Sequence, residues 1–131
     1  MTCTQDKETI VDLLNMFRQS DDVVNFSAGE TIFQAGEPGN LMYVVLAGEV
    51  EITLNNKVVD TVTPGQLLGE LALVDQSPRS ANAIARTDCR LVPINERRFL
   101  FLVQQTPYFA VQVMSVMAER LRRRTRDVVG S

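Results

Sequence analysis

The 131-residue chain has no histidine and no tryptophan, only two cysteines, and aromatic residues at just 6%. Without histidine it lacks the commonest metal ligand and the commonest general base near neutral pH. Metal-dependent β-barrel enzymes built on a histidine cluster are thereby excluded, and no metal site is expected. Cys3 and Cys89 are too few for a disulfide framework, and both read as plain thiols. Uninterrupted apolar stretches such as Leu71 to Val74 fall far short of a membrane span. The amino terminus lacks a basic region followed by an apolar block, so the chain is expected in the cytoplasm, without membrane attachment. With no paired general acid and base and no activated nucleophile in view, an enzyme is not expected.

What is present fits one soluble globular domain over residues 1–131, with 45% apolar and 22% charged residues. A net charge of −3 argues against a nucleic-acid surface spread over the whole domain. Ile10, Leu13, Leu14 and Phe17 recur at helical spacing and predict an amphipathic helix over about residues 7–20. From Val23 the period shortens. Runs at Val23 to Phe26, Thr31 to Gln34, Leu41 to Ala47, Glu49 to Leu54, Lys57 to Thr63, Ala81 to Arg86 and Cys89 to Ile94 read as short strands. Turn signals separate them, among them Asn55-Asn56, where asparagine tolerates the positive φ of a tight hairpin. Helical spacing returns at Phe99, Leu102 and Val103, stops before Pro107, and resumes from Tyr108 towards Val128. The expected fold is α+β: an antiparallel jelly-roll barrel over about residues 23–95, flanked by an N-terminal helix and two C-terminal helices over about 96–128.

Chemistry concentrates between Leu68 and Ala81. A glycine-led turn, a carboxylate, a short apolar helical turn and an arginine share one loop, with Glu70 and Arg79 nine positions apart. Such a loop offers backbone N–H groups, a cation and an acceptor to a ligand carrying both phosphate and sugar. Glu70 alone also reads as a helix-start residue, and Arg79 alone as a surface arginine after a proline turn. The set carries the argument.

Gly69-Glu70-Leu71-Ala72-Leu73 followed by Pro78-Arg79-Ser80-Ala81 resembles the phosphate-binding cassette of the cyclic-nucleotide-binding domains, shared by catabolite-activator-type regulators and kinase regulatory subunits. Gly29-Glu30, Gly36-Glu37-Pro38-Gly39, Leu41 to Gly48 and Pro64-Gly65 extend the resemblance over roughly residues 20 to 125. It implies a phosphate and ribose site made of Gly69, Glu70, Leu71, Ala72, Arg79, Ser80 and Ala81. Arg79 would neutralise the cyclic phosphate, with free N–H groups at Leu71 and Ala72, and Glu70 would accept a hydrogen bond from the ribose 2′-hydroxyl. Val62, Leu68 and Ile84, with Val50 as a further wall, would face the base, and each reads equally as barrel core. Serine at position 80, where family members preferring cGMP tend to carry threonine, leans towards cAMP, with cGMP left open. No cofactor beyond this ligand is implied.

Arg120, Arg122, Arg123, Arg124 and Arg126 form the one concentrated basic run. It reads as a solvated helix end, as a nucleic-acid contact, or as part of a lid. The resemblance favours the lid, with Arg124 and Thr125 towards the base and Arg120 or Arg123 near them. Ala110, Val113 or Met114, Met117, Leu121 and Val128 form a stripe that needs a cover, from the barrel or from the same helix of a second chain. Nothing after this helix reads DNA, so no DNA-binding domain is expected. Two functions follow: a stand-alone cyclic-nucleotide sensor whose terminal helices respond to ligand and act on an unidentified effector protein, or an interaction module of the same fold without a nucleotide.

Overall fold

The computed structural model describes residues 14, 16–74 and 76–130, with side chains at all of these except 74 and 124–130. The predicted N-terminal helix lies largely outside them, although Leu14, Met16 and Phe17 are helical. The chain then runs through β1 (Val24–Phe26), β2 (Thr31–Phe33), β3 (Met42–Ala47), β4 (Val50–Leu54), β5 (Lys57–Val62), β6 (Leu67–Leu68), α1 (Leu71–Val74), β7 (Asn82–Ala85), β8 (Cys89–Ile94), α2 (Glu96–Gln105) and α3 (Tyr108–Gly130). Two antiparallel four-stranded sheets, ordered β1-β8-β3-β6 and β2-β7-β4-β5, face each other as the expected jelly roll. The two-residue strand β6 was not anticipated. It pairs Leu67 and Leu68 with Val44 and Tyr43, and two residues give no period to read.

The unbroken apolar run of β3 has a geometric cause. Successive strand side chains point to opposite faces, and both faces of this sheet are covered. Tyr43 and Val45 enter a cluster between the sheets with Val50, Val62, Leu68, Ala83, Ala85 and Leu91. Met42 and Val44 enter a second cluster under the helices, with Leu67, Val92, Ile94, Phe17, Phe109 and Val113. β6 and β8 divide in the same way, Leu67 and Val92 to the helix side, Leu68 and Leu91 to the barrel interior.

At the Asn55-Asn56 turn the φ angles are 54° and 64°, the pair of positive values that a primed hairpin turn needs. Asn95 caps α2 by accepting from the Arg98 N–H at 2.8 Å. Thr106, forced out of helical geometry by Pro107, ends it. The chain bends by 120° there and continues as α3. Phe109 anchors that bend, buried with its ring centroid 5.7 Å from Phe99 in an edge-to-face contact. Phe109→Ala should therefore lower stability by about 3–5 kcal/mol. Urea unfolding followed by circular dichroism would measure it, and a loss below 1 kcal/mol would mean that the bend is held by other contacts.

Candidate functional site

Arg79 sits at the mouth of the barrel, half-buried. The strand partners that hold its backbone come from the turn before β3: Gly36 N–H donates to the Arg79 carbonyl and Arg79 N–H to the Glu37 carbonyl, each at 2.8 Å. Its guanidinium donates to the Leu41 carbonyl at 2.8 Å and to the Gly69 carbonyl at 3.3 Å, and lies 4.1 Å from the centre of the Phe33 ring. Among the described residues no carboxylate lies within ion-pair distance of it. Burial holds its pKa below the usual arginine value, against the opposing pull of Tyr43, Glu37 and Glu70. It remains a cation nonetheless.

Two glycines make room for this side chain. A Cβ at Gly69 would stand 2.5 Å from Arg79 Nη1, and one at Gly39 would stand 2.7 Å from Nε. Gly69 also carries φ +74°, a conformation side chains rarely adopt. The absent Cβ at this position clears space for the Arg79 side chain.

Glu70 is only 3% exposed. Both of its carboxylate oxygens accept from Arg120 Nη1 at 2.6 Å, across fifty residues of sequence. Arg120 also donates from Nη2 to the Leu67 carbonyl at 2.6 Å, and its Nε lies 3.7 Å from Asp60. Asp60 in turn accepts from both Nη atoms of Arg123, at 3.0 and 3.3 Å. The cassette, β5 and α3 are thus joined by one chain of alternating charge.

Several expectations need correction. The Ala72 N–H, expected to be free, donates to the Gly69 carbonyl at 3.2 Å, because the turn closes on itself. Val50, Val62 and Leu68 are fully enclosed in the inter-sheet core, which is the barrel-core reading each of them also carried. Ile84 is misassigned by one residue. On β7 it is Ala83 and Ala85 that face the interior, which turns Ile84 to the opposite side of the strand. Ala81 and Ala72 are buried, Leu71 is half-buried, and Ser80 is exposed. The side chains of Arg124 and Thr125 lie outside the described residues. The α3 stripe divides: Val113 packs in the core with Met117 against it, while Met114 and Leu121 are exposed.

Asp60, Phe33, Gly39 and the Leu41 carbonyl were missed. Asp60 had a signal, a charge on the same side of a strand as Val62, two residues away. The others emerge only when the turn at 36–39 is folded against Arg79.

The comparisons agree with this architecture. Residues 23–106 match the model of the cyclic nucleotide-binding domain, and the chain belongs to that family. It is 29% identical over 110 residues to the CRP-like cAMP-activated global transcriptional regulator of Mycobacterium tuberculosis, covering 80% of this chain and 49% of that protein. It is 30% identical over 102 residues to the cyclic AMP receptor protein of Thermus thermophilus, covering 74% of this chain and 47% of the relative. The crystal structure of the Thermus thermophilus catabolite activator protein superimposes with a TM-score of 0.75 at 28% identity, over 92% of this chain and 57% of that one. The chain spans about half the length of these curated relatives.

Gly39→Ala tests the Arg79 cradle, because its cost comes from the guanidinium rather than from backbone strain. Arg79 should leave the Leu41 carbonyl, with a stability loss smaller than that of Gly69→Ala, where the positive φ adds about 1–3 kcal/mol. Paired urea unfolding curves check the order, and equal losses would contradict it.

Proposed function

We propose that this domain binds a cyclic mononucleotide, cAMP in preference to cGMP, and acts as a regulatory sensor rather than a catalyst. The observation that supports it most directly is Arg79, a half-buried cation without a carboxylate at ion-pair distance among the described residues. A buried charge in that setting is costly unless an anion completes it. In this reading the cyclic phosphate lies against Arg79 and Ser80, and the ribose 2′-hydroxyl donates to Glu70. The cAMP preference draws on Ser80 and on the names of the Mycobacterium and Thermus relatives.

Ligand at Glu70 meets the group already bound to Arg120, so the signal passes to α3. No single helix among the described residues is long and apolar enough to cross a membrane, and a cytoplasmic location is part of this reading. A second reading, an interaction module without nucleotide, draws support from Glu70 and Arg120 already satisfying each other. Intact Arg79 favours the first, since the second has no use for a cation without a carboxylate at ion-pair distance among the described residues.

Calorimetric titration with cAMP, cGMP and 2′-deoxy-cAMP separates the two readings. Arg79→Ala should weaken cAMP binding by about 2–5 kcal/mol, and the 2′-deoxy ligand should bind the natural protein less tightly than cAMP. Absence of binding by both cyclic nucleotides at micromolar concentration would hand the case to the interaction module. Hydrogen exchange after Pro107 should slow on cAMP addition if α3 receives the signal.

The partner in this proposal includes a second copy of the chain. Tyr108, Val111 and Met114 are exposed on α3, Met114 to 58%, and apolar residues at such spacing on one helix suit a self-complementary contact. Met114→Glu should convert a dimer to a monomer in sedimentation without loss of helical content. A natural protein that sediments as a monomer at micromolar concentration would remove this part.

A further inference from the structure

Asp60 is an anomaly of β5. It occupies the strand face that two residues later carries the fully buried Val62, and its carboxylate is only 20% exposed. A charge on such a face has to be met by partners from another element. The local register contributes: Ile52 pairs with Asp60 and Thr53 with Val58, so Val59 is an extra residue that bulges the strand next to Asp60.

The partners come from α3, where Arg120 and Arg123, three residues apart, share a face. Arg123 forks onto both Asp60 oxygens at 3.0 and 3.3 Å. Arg120 presents its Nε edge to Asp60 at 3.7 Å, and its opposite edge to Glu70 and the Leu67 carbonyl, each at 2.6 Å. One guanidinium is therefore held between two carboxylates that belong to different strands and loops. Glu70 meets a single Arg120 nitrogen rather than a bidentate fork. That geometry depends on how the Arg120 plane is turned, and Asp60 lies at the edge that sets the turn.

We infer that Asp60 is a positioning residue for sugar recognition: it orients Arg120 so that the guanidinium meets Glu70, and through Arg123 it fixes the segment of α3 that carries both arginines. The inference rests on the proposed reading of Glu70 as acceptor of the ribose 2′-hydroxyl. Without Asp60, Arg120 swings off Glu70, and the buried carboxylate loses the partner that aligns it. A hydroxyl donor then gains less from meeting it, and ribose is distinguished from deoxyribose less well.

The test uses Asp60→Asn, which keeps the shape and removes the charge, with Asp60→Ser as a second neutral variant and Asp60→Glu as the charge-keeping control. Titration with cAMP and 2′-deoxy-cAMP should show the ratio of their affinities falling about tenfold in both neutral variants, through the cAMP arm, and largely kept in Asp60→Glu. Nitrogen-15 NMR of the ligand-free protein gives an independent readout: the Arg120 Nε–H signal should exchange slowly in the natural protein and fast in the neutral variants. An unchanged Arg120 signal overturns the inference whatever the nucleotides do, and so does an unchanged ratio in a natural protein that prefers the ribose form. If the natural protein binds neither nucleotide, the sensor reading falls and with it the sugar-recognition role. The NMR arm then decides separately whether Asp60 orients Arg120.

Discussion

A carboxylate with 3% exposure needs partners to replace the water it has lost, and Glu70 finds its cation on a helix fifty residues further along the chain. This contact constrains the molecule more than its net energy suggests. Against well-packed apolar substitutes a buried ion pair contributes little, whereas removing one partner costs about 3–5 kcal/mol, because the other is left uncompensated. The pair therefore acts as a specifier of geometry. It decides which face of α3 turns towards the barrel, and its third participant, the Leu67 carbonyl, ties the same guanidinium to β6.

Arg79 presents the opposite case. Two backbone carbonyls and the Phe33 ring hold its guanidinium, and they orient the charge without cancelling it. The site thus has a polarity: a cation with no carboxylate at ion-pair distance among the described residues, and beside it a matched Glu70–Arg120 pair. Under the proposed function that order suits a ligand with one anionic group and a neighbouring hydroxyl. A second phosphate at the Glu70 end would meet a carboxylate that is already bound.

Much of this was legible from local chemistry. The two asparagines at 55 and 56 announce their positive φ, Pro107 marks the bend, and the apolar run at 41–47 announces a strand covered on both faces. The cassette could be read as a set because its members lie within one loop. What could not be read depends on register or on distance. Ile84 was assigned to the interior, though the residues facing it are Ala83 and Ala85, and a one-residue difference in strand register reverses every side chain. The Ala72 N–H looked free because its acceptor, the Gly69 carbonyl, appears only when the turn closes. Asp60 and Arg120 stand sixty residues apart, and neither has a local pattern that names the other.

The length of α3 is held by two kinds of force, and this division bears on how a signal would travel. Near its start, Phe109 and Val113 are sealed into the core under β3 and β8, a contact that is insensitive to salt or to a small ligand. About two turns beyond Val113, the contacts to the barrel become ionic: Arg120 to Glu70 and Asp60, and Arg123 to Asp60. Arg123 is 38% exposed, so its pair with Asp60 aligns the helix more than it stabilises it, contributing about 0–1 kcal/mol. Under the proposed function, a ligand at Glu70 would act on this ionic part of the contact rather than on the apolar one. In that case the apolar anchor behind it would keep the pivot in place while a change at one carboxylate biases the distal half of the helix.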